Sequence, residues 1–169
     1  MRIAICPGSY DPVTYGHLDI IQRSAKLFDK VVVTVMANPA KNNLFNVQER
    51  MDMLKMVTAH WPNVEIATHD GLVAEFARQK GACALVKGLR AVSDFEYEFQ
   101  MALINKKLNP ELETVFINTD AKFMYLSSSA AKEVAQYGGD LSDFVPKELE
   151  SIIWSRMEQQ RAAGGKNER

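Results

Sequence analysis

Short apolar runs alternate with longer amphipathic stretches along this chain, and that alternation predicts its elements. Ile3-Ala4-Ile5-Cys6 reads as a buried strand, and the apolar residues of 18–28 recur at helical spacing. Lys30-Val31-Val32-Val33-Thr34-Val35-Met36-Ala37 is β-branched and nearly continuous, the pattern of a strand covered on both faces of a parallel sheet. Val47, Met51, Leu54 and Val57 form one stripe of a helix over 47–60, which Pro62 stops. Val64-Glu65-Ile66-Ala67-Thr68 alternates, as an edge strand does. A helix over 72–80 ends at Gly81, and Cys83-Ala84-Leu85-Val86 is a fourth strand. Ser93 and Glu96 have the spacing of a capping box for a helix over 93–108, which ends before Asn109-Pro110. Thr114-Val115-Phe116-Ile117-Asn118 is a fifth strand. Ser127-Ser128-Ser129 opens a helix over 130–137, and Val145-Pro146 starts the last, which runs to about 160.

Strands alternating with helices imply right-handed βαβ units. The predicted fold is α/β: a single doubly wound, Rossmann-like domain over 1–161. It has a five-stranded parallel sheet of order 3-2-1-4-5, plus C-terminal helices. Residues 162–169 are Gly-rich and charged and are expected to form a disordered tail.

In such a sheet, ligands bind outside the carboxyl ends of the strands at the switch point, here between the first and fourth. Pro7-Gly8-Ser9-Tyr10-Asp11-Pro12-Val13-Thr14-Tyr15-Gly16-His17 leaves the first strand there. Gly8 permits a tight turn, Ser9 offers a hydroxyl, and His17 lies in the first turn of the next helix, where the backbone favours anions. Lys87-Gly88-Leu89-Arg90 leaves the fourth strand at the same end. Lys41 follows the second, and Ser127-Ser128-Ser129 begins the helix after the fifth. Cations, hydroxyls and helix N-termini over one crevice point to phosphate chemistry. Glu98 is placed to accept from a ribose. Phe95, Tyr97, Phe99 and Met101 make their helix apolar on more than one side, which suggests a subunit interface.

Composition narrows the picture. With 169 residues, 47% hydrophobic and 24% charged, the chain suits one globular domain. A net charge of −1 gives no basic field for nucleic acid. No apolar segment is long enough to span a membrane, and no signal-peptide pattern opens the chain, so a cytoplasmic location is expected. Cys6 and Cys83 sit in apolar runs and read as small buried hydrophobes rather than a disulfide or metal set. No Ser-His-Asp or Cys-His arrangement and no carboxylate cluster with metal-ligand spacing is apparent, so no protein metal ligand is assigned. What remains is positioning and charge stabilisation, which suits in-line transfer at phosphorus.

Thr14-Tyr15-Gly16-His17 is the T-x-G-H form of the signature of the adenylyl- and cytidylyltransferase superfamily. With Gly88-Leu89-Arg90-Ala91-Val92-Ser93-Asp94-Phe95-Glu96-Tyr97-Glu98, Lys41 and Ser127-Ser128-Ser129, the chain resembles the bacterial phosphopantetheine adenylyltransferases along almost its whole length. The resemblance implies reversible adenylyl transfer from ATP to 4′-phosphopantetheine, without a covalent enzyme intermediate. The products are dephospho-coenzyme A and pyrophosphate, in the penultimate step of coenzyme A synthesis. It also implies Mg²⁺, a homohexamer and coenzyme A as feedback inhibitor.

Carried onto these residues, His17, Lys41 and Arg90 would be catalytic, and Ser9, Lys41, Val73 and Lys87 would bind the acceptor. Ser9, Tyr10, His17, Gly88, Leu89, Arg90, Glu98, Phe123, Met124, Tyr125, Leu126, Ser127, Ser128 and Ser129 would bind ATP. Ser9 stands where the family commonly has Thr, and keeps the hydroxyl. Lys87 stands where it often has Arg, and keeps the charge but not the bidentate fork. A sibling transferase acting on nicotinamide mononucleotide, or using CTP, and a non-catalytic nucleotide sensor on the same fold are the alternatives. The Gly88–Glu98 block argues against the first, and the joint presence of His17, Lys41 and Arg90 against the second.

Overall fold

In a computed structural model, which describes residues 1–37 and 42–164, five parallel strands form one sheet in the order β3-β2-β1-β4-β5. The strands are β1 (Ile3–Gly8), β2 (Lys30–Met36), β3 (Val64–His69), β4 (Ala84–Leu89) and β5 (Glu113–Asn118). Between and after them run α1 (Tyr15–Leu27), α2 (Val47–Thr58), α3 (Val73–Lys80), α4 (Val92–Leu108), α5 (Ser128–Gln136) and α6 (Lys147–Gly164). A 3-10 turn at Ala121–Phe123 lies between β5 and α5. The strand order is the one that the alternation predicts, and it puts the switch point between β1 and β4.

The two-residue period of the central strands divides the core. Ala4 and Cys6 of β1 and Val31, Val33 and Val35 of β2 face one side. There they meet Ile20 and Ile21 of α1, Leu54 of α2, Ala131 of α5 and Ile153 of α6. Ile5, Val32 and Leu85 face the other side, against Ala74, Phe76 and Ala77 of α3. Full burial of a large aliphatic side chain is worth about 1.5–3 kcal/mol. Both faces of β1 and β2 are therefore committed, and the sheet's carboxyl edge is left for a ligand.

Three readings change, and a fourth, the excess of apolar residues on the helix after β4, holds. Cys83 is exposed, not buried. β4 begins at Ala84, so Cys83 precedes the ladder; its backbone N–H donates to Ile3 O at 2.9 Å and its carbonyl accepts from Glu113 N at 3.0 Å, while the side chain faces out. Ser93 does not cap α4: the N-cap is Ala91 and Ser93 is already helical. Asp94 instead accepts from the N–H of Arg90, the residue before the cap, at 3.2 Å. α6 continues to Gly164, so 162–164 are helical rather than part of a disordered tail, and 165–169 lie outside the described residues. Finally, α4 buries only Asn105, while Val92, Phe95, Tyr97, Phe99, Leu103 and Ile104 are exposed. Among the described residues no helix is long and apolar enough to cross a membrane.

Candidate active site

A cavity of about 490 Å³ opens at the switch point. Its wall comes from the segments leaving β1 and β4, from the first turns of α1, α4 and α5, and from the 3-10 turn. Three of the four loops singled out in the sequence therefore meet. The fourth carries Lys41, which lies outside the described residues.

The β1–α1 segment is shaped by Tyr10. Its φ of 49° is left-handed, unusual for an aromatic residue, and it folds the side chain back under the loop. The Tyr10 hydroxyl donates to Cys6 O at 2.8 Å, and the ring meets His17 edge-on, 5.1 Å between centroids. A Cβ on Gly8 would sit 3.0 Å from the Tyr10 ring, so Gly8 makes room for Tyr10. Tyr10 lines the cavity mainly as the support of His17, its hydroxyl being spent on the backbone.

His17 is the third helical residue of α1, and its ring reaches back to the N-cap. The N–H of Thr14 donates to Nδ1 at 3.0 Å, and Thr14 Oγ1 lies equally close. A nitrogen that accepts from a backbone N–H carries no proton in the neutral ring, so the proton resides on Nε2. Burial, aided by the nearby Arg90 charge, lowers the His17 pKa from 6.5 to about 4. At neutral pH this imidazole is an uncharged Nε2–H donor whose orientation is set by the helix cap.

Arg90 joins two sides of the cavity. Its Nε is 3.2 Å from Asp94 Oδ2, and its Nη1 donates to Leu126 O at 2.9 Å. Lys87 Nζ is 3.1 Å from Glu98 Oε1. Each of these cavity cations thus has a carboxylate partner on α4. At the far wall Ser127 caps α5, accepting from Ala130 N at 3.0 Å, so the helix presents its N-terminus to the cavity. Gly88 fits because its missing Cβ would stand 2.8 Å from Ile20 Cγ1, which lets α1 lie close on β4.

Of the residues chosen from sequence, Tyr10, His17, Lys87, Gly88, Arg90, Glu98, Phe123, Leu126, Ser127 and Ser128 line the cavity. Ser9, Val73, Leu89, Met124, Tyr125 and Ser129 do not. Ser9 is half-buried with its carbonyl held by Arg50 Nη1 at 2.8 Å. Val73 opens α3 and packs on the second core cluster. Met124 and Tyr125 are exposed, with the Tyr125 ring against Phe144.

Sequence reasoning missed Asp94, Arg50 and Asp11. Asp94 lies in the first turn of α4 and Arg90 just before that helix, so the pair ties the end of β4 to the start of α4. Arg50 falls between Val47 and Leu54 on the apolar stripe of α2, and a charge there demands an internal partner. It is 2% exposed, and besides Ser9 O its Nε reaches Asn46 O at 3.3 Å. Asp11 is also 2% exposed and accepts from Leu44 N and Phe45 N, both at 2.8 Å. Cys6 borders the cavity, but burial pushes its thiol up to about 12, which removes it as a nucleophile.

A family model described as cytidylyltransferase-like matches residues 5–134, the span that contains every cavity-lining residue. A phosphopantetheine adenylyltransferase of Caldanaerobacter subterraneus subsp. tengcongensis is 63% identical over 146 residues, 86% of this chain and 91% of that protein. The chain belongs to the phosphopantetheine adenylyltransferase family. A second member, from Desulforudis audaxviator, is 56% identical over 153 residues, 90% of this chain and 94% of its own length. Among solved structures, a Vibrio parahaemolyticus protein described as a nicotinate-nucleotide adenylyltransferase superposes with a TM-score of 0.69 at 16% identity, covering 93% of this chain and 95% of that one. A Plasmodium falciparum nicotinic acid mononucleotide adenylyltransferase superposes with a TM-score of 0.62 at 14% identity, covering 94% and 95%. At such identities these two show the shared fold.

Proposed function

We propose that this chain transfers the adenylyl group of ATP to 4′-phosphopantetheine, giving dephospho-coenzyme A and pyrophosphate. The observation that carries the reading is the convergence of His17, Lys87, Arg90 and the α5 N-terminus on one cavity, in a chain of this family. A phosphate oxygen of the acceptor attacks the α-phosphorus in line. One P–O bond forms as the bond to the pyrophosphate oxygen breaks. The attacking group is already an anion and needs no strong base. His17 donates Nε2–H to a non-bridging oxygen of the α-phosphate, where charge redistributes in the transition state. Arg90 and the α5 N-terminus bind the phosphates of ATP, and Lys87 binds the acceptor phosphate together with Lys41.

Magnesium is part of this proposal as a companion of ATP. Among the described residues no group of three or more His, Cys, Asp or Glu could hold a metal ion, and the cavity carboxylates Asp94 and Glu98 are paired with Arg90 and Lys87. The described residues thus offer no cage for a resident ion. Mg²⁺ binds phosphate oxygens while keeping much of its water, so it fits as a passenger on the triphosphate. Coenzyme A carries both the pantetheine arm and the adenylate of the product, which supports competitive feedback at the same cavity.

The exposed apolar side of α4 supports assembly through that helix, with a hexamer as the proposed state; sedimentation as a monomer at micromolar concentration would refute assembly. The function is tested by pyrophosphate release from ATP with 4′-phosphopantetheine, nicotinic acid mononucleotide or no acceptor. Release dependent on 4′-phosphopantetheine is expected. Release dependent on the mononucleotide, or none with any acceptor, refutes the reading.

A further inference from the structure

We propose that Lys132 is a positioning residue: paired with Asp11, it sets the spacing between the N-terminus of α1, which carries His17, and the N-terminus of α5, which carries Ser127 and Ser128. The inference rests on the adenylyl-transfer reading and deepens it. Lys132 Nζ lies 3.2 Å from Asp11 Oδ2. Ser128, one turn earlier on the same face of α5, donates its hydroxyl to Pro12 O at 2.7 Å. Two adjacent residues of the β1–α1 segment are therefore tied to two residues on one face of α5. Thr14, which caps α1 and orients His17, follows two residues after Pro12. Ala131 and Ala135, fully buried beneath this face, let α5 approach closely.

The lysine is not needed merely to satisfy the carboxylate. Asp11 already accepts from two backbone N–H groups, those of Leu44 and Phe45, and Arg50 adds positive charge beside it from α2. What Lys132 adds is a link to α5. In-line transfer needs the α-phosphorus to meet His17 Nε2 while the leaving phosphates meet the α5 N-terminus. A misplacement of about 1 Å between such groups costs on the order of 10²-fold in rate. ATP affinity is shared among many contacts and changes far less.

The test uses the full chain carrying Lys132→Met or Lys132→Arg. It compares kcat and KM for ATP and for 4′-phosphopantetheine with the thermal unfolding midpoint of each variant. Lys132→Met is expected to lower kcat at least tenfold, with KM for ATP within threefold of the parent and an unchanged midpoint. Lys132→Arg, which can still reach Asp11, is expected to recover kcat to within threefold. Parental kcat in Lys132→Met, kcat falling only in step with the unfolding midpoint, or no recovery in Lys132→Arg would each overturn the proposal. Parental turnover separately tests the adenylyl-transfer reading, so the two failures are distinguishable.

Discussion

The N–H of Thr14 donates to His17 Nδ1 at 3.0 Å, so the contact that caps α1 also decides which ring nitrogen faces the cavity. In the proposed transfer, capping and catalysis use opposite ends of one imidazole. His17→Ala loses both, with separable costs. Loss of the cap contact costs about 0.5–2 kcal/mol of stability. Loss of the transition-state donor costs on the order of 10²–10³ in kcat. The variant is expected to fold, to bind ATP within roughly tenfold of the parent by calorimetry, and to turn over very slowly. Near-parental kcat would remove His17 from the chemistry.

The same histidine gives the fold an acid sensitivity. Its folded pKa of about 4 lies below the 6.5 of the free side chain. Between those values the unfolded chain holds a proton that the folded chain lacks, so stability rises with pH across that window and falls on acidification. From pH 7.5 to 4.5 this contributes about 2–3 kcal/mol of loss. His17→Gln removes the contribution. In urea titrations at the two pH values the parent should lose more stability than the variant by about that amount; equal losses would mean His17 is not held neutral by the fold.

Gly88 tests how tightly α1 must lie on β4. An added methyl would overlap Ile20, which is 8% exposed and has little room to yield. Gly88→Ala is expected to destabilise by about 1–3 kcal/mol through overpacking and to lower kcat, because α1 carries His17. The double variant Gly88→Ala with Ile20→Val relieves the overlap and should recover part of both. No recovery, by thermal unfolding and steady-state kinetics, would place the defect elsewhere.

The sheet order was legible because β2 is apolar at nearly every position while β3 alternates. A strand covered on both faces and one at the edge differ in period, and that difference survives in the sequence. The meeting of Ser9, His17, Arg90 and Ser127 at one end followed from topology, as each segment leaves a strand at its carboxyl end. Topology could not say which of them face the cavity. Ser9 turns its carbonyl to Arg50, and Tyr10 spends its hydroxyl on Cys6, through a left-handed turn that periodicity does not encode. Ser93 has the residue type of a cap, yet Asp94 gains more by reaching both the N–H and the guanidinium of Arg90. Arg50 escapes a stripe read from apolar residues alone, although it lies buried on that same stripe.

Lys87 and Glu98 carry the last prediction. Their side chains are 26% and 20% exposed at the cavity wall, and Nζ and Oε1 are 3.1 Å apart. A pair this close to solvent adds about 1 kcal/mol or less to stability. Lys87→Met should therefore leave the unfolding midpoint close to the parent's. Its cost falls on the ligand that the ammonium faces. A charge-assisted hydrogen bond to phosphate is worth about 1.5–3 kcal/mol, so KM for 4′-phosphopantetheine should rise roughly 10- to 100-fold while KM for ATP stays within about threefold. Lys87→Arg restores the charge and adds a planar fork that can grip two phosphate oxygens; it should match or lower the parental KM for the acceptor. Steady-state kinetics with each substrate varied in turn decides the matter. If Lys87→Met raises KM for ATP as much as for the acceptor, Lys87 belongs to the nucleotide side of the cavity and the assignment of the two phosphate sites must be exchanged.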